Sequence, residues 1–160
     1  MKITVTGTRG IPDIQGGVET HCQELMPRLA HLGHDITLMR RSCYVVDSLR
    51  EYKGVTIVDV YTPRLKSIEA IVHTFLSVLK ARFNGSGVIH IHAVGPAIMA
   101  PFARLLGLKV VMTHHGPDYE RKKWGRLAKW VLKTGECWGV KFSNRVIVIS
   151  DVIRKHIENK

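Results

Sequence analysis

The chain has 160 residues, 45% of them hydrophobic, and a net charge of +11. The length suits one compact α/β domain with its own core, and the apolar content excludes a disordered tail. No apolar run approaches the ~18 residues that a membrane-spanning helix needs. The basic balance favours an anionic partner: nucleic acid, phospholipid headgroups or a nucleotide diphosphate, between which charge does not choose.

The opening "MKITVTG" lacks the apolar region of a signal peptide and reads directly as a first strand, Lys2–Thr6. Folding in the cytosol is therefore expected. Cys22, Cys43 and Cys137 show neither a disulfide framework nor a zinc spacing, and are expected reduced and mostly buried. Val18, Cys22, Leu25, Met26, Leu29 and Leu32 fall at helical spacing, so a helix is predicted over 17–32, with Pro27 kinking it or forcing a local adjustment and Gly33 stopping it. "HDITLMRR" and "VTIVDV" (55–60) are the second and third strands. A helix follows over 67–82, then a turn at "NGSG" (84–87).

The fourth strand is "VIHIHA" (88–93), followed by a helix near 96–106. "LKVVMTHH" is the fifth strand, and a long helix is predicted from about 119 to 142. "RVIVIS" (145–150) is the sixth strand, after which Ser150 or Asp151 caps a short last helix. This alternation predicts a Rossmann-like, doubly wound parallel sheet of about six or seven strands. Ligands of such sheets bind beyond the C-terminal strand ends, at a topological switch point. That directs attention to residues 7–17, 92–96, 113–118 and 150–151.

The first of these stretches is the glycine-studded loop "GTRGIPDIQGG", which feeds the first helix. Glycine permits close backbone approach, and the free N–H groups of a helix N-terminus attract anions. Gly16 and Gly17 would let a phosphate dock there, with Arg9 adding charge. The loop has no Walker Gly-Lys pair and no GxGxxG spacing, so it belongs to neither of those phosphate-binding classes. The bland alternative is a turn that simply needs glycines.

"GTRGIP", "GGVET", "LAHLGHDITL", "THHGPDYERKKWGRLAKWVL" and "NRVIVIS", in this order and spacing, resemble the N-terminal half of retaining glycosyltransferases of family four with the GT-B fold. The nearest flavour is the bacterial subgroup that builds surface polysaccharides, including rhamnosyltransferase-like members. The chain departs from it at Gln15, where the subgroup usually has an aromatic. The resemblance implies that residues 1–160 form the acceptor-side domain, with a nucleotide-sugar domain and its glutamates lying outside this chain. It implies hexosyl or deoxyhexosyl transfer from a nucleotide sugar to a glycan or lipid-linked acceptor with retention, no metal or other cofactor, and negligible activity for this half alone.

Residue by residue, the resemblance brings a histidine near the end of the fourth strand to the donor sugar. His92 is the match and the candidate catalytic residue. His90 and His92 are read as pointing to opposite faces of the strand. His114 and His115 point apart in an extended chain, which argues against a metal site. The resemblance places His115 and Asp118 in the cleft, against acceptor or sugar hydroxyls; Asp118 has the alternative of capping the next helix. Glu19 suits the first turn of a helix electrostatically without any function, and the family likeness makes it a substrate-binding or loop-ordering residue.

Lys122, Arg126, Lys129 and Lys133 follow i, i+4, i+7, i+11 and are expected to form one basic stripe on the long helix, beside Trp124, Leu127, Ala128, Val131 and Leu132. A basic amphipathic helix reads as a membrane-surface or acidic-partner element. The expected place of action is then the cytoplasm, at the inner face of the plasma membrane. The alternative is an ordinary scaffold helix, with Trp130 deciding between them. A non-catalytic, membrane-associated partner subunit is the second functional reading. A nucleic-acid-binding module is the third, and the absence of RNP, KH or helix-turn-helix signals weighs against it.

Overall fold

The computed structural model describes residues 1–65 and 68–158. The order is β1 (Lys2–Thr6), α1 (Gly17–His31), β2 (Asp35–Arg41), β3 (Glu51–Tyr52), β4 (Val55–Val60), α2 (Glu69–Phe83), β5 (Val88–His92), α3 (Ala100–Leu105), β6 (Lys109–His114), α4 (Arg126–Phe142), β7 (Arg145–Val148) and α5 (Asp151–Glu158). The seven strands form one sheet in the order β3-β4-β2-β1-β5-β6-β7. All neighbours are parallel except β3, a two-residue strand antiparallel to β4. β3 is too short to leave a periodic signal, which is why the sequence reading passes over it.

The strand order reverses at β1, which pairs with β2 on one side and β5 on the other. This is the topological switch point, and a crevice opens there at the C-terminal strand ends. Ile3 and Val5 face α1 and join Cys22, Met26, Ile36, Leu38, Val55 and Ile57 in one core cluster. A second cluster joins Val78 and Ala81 of α2 to Ile89, Ile91, Val110 and Met112 of the sheet and to Ala100 and Ala103 of α3. Helices thus cover both faces, as the alternation of elements requires.

α1 runs unbroken through Pro27, which lies one turn from its end. Backbone bonds from Gly33 to Ala30 (2.9 Å) and from His34 to Leu29 (3.2 Å) then close it. The helix expected over 67–82 is α2, beginning at Glu69; Ser67, its expected first residue, lies outside the described residues. Ser150 caps α5 by accepting the Ile153 N–H on its hydroxyl at 3.3 Å. Of the cysteines only Cys22 is buried; Cys43 is half-buried and Cys137 exposed, against the expectation of mostly buried thiols.

The long helix expected over 119–142 is in fact two pieces. Asp118–Glu120 forms a single 3-10 turn, the chain extends at Arg121, and α4 begins only at Arg126. Gly125, a poor helix former, stands in extended conformation at the junction. Trp124 before it turns into the crevice rather than along a helix. Lys122 and Trp124 therefore leave the expected stripes, and the basic stripe of α4 itself is Arg126, Lys129 and Lys133. Farther along, α4 approaches the sheet so closely that a Cβ on Gly135 would overlap the Val94 carbonyl and one on Gly139 the Met112 sulfur.

Candidate functional site

A cleft of about 620 Å³ lies over the switch point. Its walls come from the loop after β1 (Gly7, Arg9, Gly16, Gly17), the start of α1 (Glu19, His21), the end of β2 (Arg41, Tyr44), the turn after β5 (Ala93, Gly95) and the loop after β6 (His115, Asp118, Trp124). The loop after β1, the turn after β5 and His115 and Asp118 fall in stretches that the architecture singled out, whereas Glu19, His21, Arg41, Tyr44 and Trp124 lie outside them. Gly7 (φ +97°) turns the chain hard against β5, where a Cβ would overlap the His92 carbonyl oxygen. Ala93, at φ +72°, sits in the left-handed region, which alanine rarely occupies, and does so directly on the cleft wall.

The loop side of the cleft is ionic. Arg9 donates from Nε to Glu19 Oε1 and from Nη2 to Glu19 Oε2, both at 3.1 Å, and from its backbone N–H to Oε1 at 3.0 Å. Thr8 adds a fourth bond to the same carboxylate, at 3.3 Å. The Arg9 guanidinium also bonds the Gln15 carbonyl oxygen and lies 5.7 Å from the Tyr44 ring centre. Burial pushes the Glu19 carboxyl up, but the bonds from Arg9 outweigh it and hold the pKa below the ordinary value. In return the Glu19 bond raises Arg9. Gly16 (φ +154°) makes this clamp possible: a side chain there would run into both Glu19 Oε2 and Arg9 Nη2. Arg9 is thus spoken for by Glu19, and the loop has its shape before any ligand arrives. Gly17 is the contrast, since a Cβ on it meets nothing within 4 Å.

A second ion pair continues this side. Buried Arg41 reaches Glu69 at 3.0 Å and the Gly7 carbonyl oxygen at 3.4 Å, and the Tyr44 hydroxyl donates to the same Glu69 at 3.0 Å. Burial lowers the Arg41 pKa. The sequence reading missed these three residues. The doubled arginine that ends "LMRR", in a strand otherwise apolar or buried, was the available signal.

The opposite side is built of imidazoles. His90 and His92 do not face opposite ways, because residues two apart on a strand share a face. Both point to the α1 side, with ring centres 4.2 Å apart. His90 Nε2 meets Thr113 Oγ1 at 2.7 Å. His92 is 0% exposed and lies one layer behind the cleft wall, its Nδ1 3.1 Å from Nε2 of His115. His115 stands on that wall, and His21 packs edge-on against it with centres 5.1 Å apart. Burial depresses all four, with mutual repulsion adding to it in all but His21: His90 and His115 to about 4, His92 and His21 in the same direction. His21 escaped the sequence reading because a histidine in the second turn of a helix carries no pattern of its own.

His114 points the other way, as expected for its neighbour in an extended chain. Its Nε2 lies 2.9 Å from Oε1 of buried Glu136 on α4, a carboxylate shared with the Tyr119 hydroxyl. Asp118 pairs with Arg121 at 3.1 Å on the cleft rim and makes no side-chain cap to the 3-10 turn it opens. Lys122, Arg126 and Lys133 are exposed and Lys129 half-buried, all away from the cleft lining. Among the described residues no group of three or more His, Cys, Asp or Glu side chains is placed to hold a metal ion, and no helix is long and apolar enough to cross a membrane.

The model of Glycosyltransferase Family 4 matches residues 15–160. Sucrose-phosphate synthase from Thermosynechococcus elongatus superposes with a TM-score of 0.76 at 17% identity, over 99% of this chain and 44% of that one. Alpha,alpha-trehalose 6-phosphate synthase from Burkholderia multivorans gives 0.61 at 13% identity, over 99% of this chain and 41% of that one. The chain thus spans less than half the length of either structure. No curated protein matches it. With the cleft at the switch point of a seven-stranded sheet, the chain has the Rossmann-like architecture of a GT-B N-terminal domain, and it belongs to Glycosyltransferase Family 4.

Proposed function

We propose that this domain is the acceptor-side half of a retaining glycosyltransferase of the polysaccharide-building, rhamnosyltransferase-like kind, which moves a hexosyl or deoxyhexosyl group from a nucleotide sugar to a glycan or lipid-linked acceptor. The observation that carries the reading is the cleft over the switch point, where the bare N-terminus of α1 at Gly17 faces open space beside a pre-formed ionic loop. As the diphosphate leaves, the anomeric carbon turns oxocarbenium-like, and catalysis rests on stabilising the departing phosphates and holding the acceptor hydroxyl in line. Backbone N–H groups at Gly16 and Gly17 meet the phosphates. Arg9 and Glu19 hold the loop that presents them. His115, backed by His92, faces the reacting sugar, and Asp118 takes acceptor or sugar hydroxyls. The reading assigns the transfer no metal or other cofactor. The donor-binding domain and its glutamates lie beyond residues 1–160 on this reading, so the isolated domain turns over no nucleotide sugar.

The test is Gly17→Val in the full enzyme. A side chain there strains nothing in the fold, so the melting temperature is expected to hold while transfer falls at least tenfold. Equal losses of folded protein and activity would return the loop to a plain turn.

The same reading places the enzyme at the cytoplasmic face of a membrane, where a lipid-linked acceptor resides. Trp130 is 63% exposed and Leu127 76% exposed on α4, beside Arg126, Lys129 and Lys133, and Lys122 lies just before the helix. Such a face suits an anionic surface, each cation contributing about 1 kcal/mol there. Vesicle co-sedimentation compares the wild type with the protein carrying Lys122, Arg126, Lys129 and Lys133 all changed to Glu. Binding that depends on neither lipid charge nor salt removes the membrane role. Membership of a transferase family favours an enzyme over a non-catalytic partner subunit, and the positive charge is read as serving phosphates and lipid rather than nucleic acid.

A further inference from the structure

His92 and His115 share one hydrogen bond, 3.1 Å from Nδ1 of the first to Nε2 of the second. Both rings are neutral near pH 7, since burial holds their pKa values far below that. Each therefore has one N–H and one lone pair, and only one of them donates in the shared bond. The surroundings decide which. His92 Nε2 is buried and has no partner among the described residues. Had His92 accepted at Nδ1, its single proton would sit on Nε2 as a buried donor with nothing to meet. An orphaned N–H is rarer in proteins than an under-used lone pair. The proton of His92 thus belongs on Nδ1.

The consequence passes to the cleft. His115 Nε2 accepts from His92, so the proton of His115 is on Nδ1, the nitrogen on the far side of the ring. His115 lines the cleft, and its Nδ1 makes no hydrogen bond among the described residues. Edge-on His21, at 83° to the ring, limits its rotation. Behind His92, the stacked His90 is itself held by Thr113.

We infer that His92 is a positioning residue that locks the tautomer of His115, and that His115 Nδ1–H is the neutral donor this domain offers to a sugar hydroxyl. The inference rests on the transferase reading for its ligand but not for its tautomers. A neutral N–H suits a hydroxyl, whereas phosphate is better served by the helix N-terminus across the cleft.

The test is long-range proton–nitrogen NMR of the histidine-labelled chain at pH 7.5. His115 is assigned from the signal lost in His115→Asn. The expected result is Nδ1–H on both His92 and His115, the first protected from exchange and the second exchanging with water. His92→Asn keeps an N–H at the Nδ1 position and is expected to leave His115 as it was; His92→Leu removes the donor and is expected to move His115 severalfold toward Nε2–H. Titration with methyl α-glucoside should shift His115 Nδ1 more than inorganic phosphate does. Nε2–H on His115 in the wild type, which needs no variant to observe, overturns the lock. A larger response to phosphate than to the glucoside, or none to the glucoside, overturns the sugar-facing role. Neither result bears on the Gly17→Val experiment, so the two readings fail separately.

Discussion

The two walls of the cleft solve one problem in opposite ways. The loop wall carries full charges, and each is matched: Arg9 by Glu19, Arg41 by Glu69. The opposite wall presents His115 and His21, with His92 and His90 behind them, four imidazoles held neutral by burial. A charged wall keeps its geometry through ion pairs that depend on a carboxylate staying ionised. A neutral wall keeps it through tautomers and ring packing, and fails when a proton is forced in. The contrast shows how a polar ligand site is kept ready in a largely apolar sheet without leaving a buried charge unpaired.

The two walls meet at Gly7, where any side chain runs into the backbone of His92. Gly7→Val is expected to cost more than about 4 kcal/mol, because strained backbone and steric overlap act together there. Urea denaturation checks it, and a loss under about 1 kcal/mol would mean that the walls are not held in register at this point.

Acid separates the walls. The folded-state pKa values of His90 and His92 lie below the unfolded value near 6.5, so the unfolded chain binds more protons once the pH drops below that. Stability should be full above pH 6.5 and decline toward pH 4. With a folded value of about 4, buried His90 loses about 2 kcal/mol by pH 5, and His92, depressed by burial in the same direction, adds to that loss. His73, on the buried face of α2 and depressed to about 3, adds to the same decline outside the cleft. The Glu19 clamp holds through this window, since its carboxyl is depressed and gives way only below its ordinary range. A midpoint unchanged between pH 7 and pH 5 would contradict the neutral wall.

Glu19→Gln probes the ionic wall at pH 7. Glu19 is buried but Arg9 is about one-third exposed, so water recovers part of the loss, and about 2 kcal/mol is expected. Added salt should shrink the difference only slightly, because the pair is partly shielded from solvent. The smallest effect belongs to Gly17→Val: less than about 0.5 kcal/mol in stability, since nothing lies within reach of the new side chain.

Six of the seven strands, the helix starts at Gly17 and Asp151, and the glycine loop's place before α1 were legible in the sequence, because each leaves a local mark: period-two or apolar runs, helical spacing, a cap, a glycine pair. The break at residues 121–125 was not. The periodicity of "ERKKWGRLAKW" suits a helix, one glycine does not by itself stop one, and the interruption at Gly125 goes with Trp124 being drawn into the cleft. Tertiary structure likewise decided the partnerships at the site. The residue types of Arg9, Glu19, His92 and His115 were readable as candidates, but not that Arg9 and Glu19 neutralise each other or that His92 lies behind His115. Nor could a single stretch disclose that Arg41, Glu69 and His21, 48 residues apart at their extremes, would line one crevice. Local order follows from short-range propensity and periodicity, which a stretch of chain carries within itself. Which side chains neutralise, shield or stack on one another depends on the strand order and register that bring β1, β5 and β6 side by side, and only the folded chain supplies that.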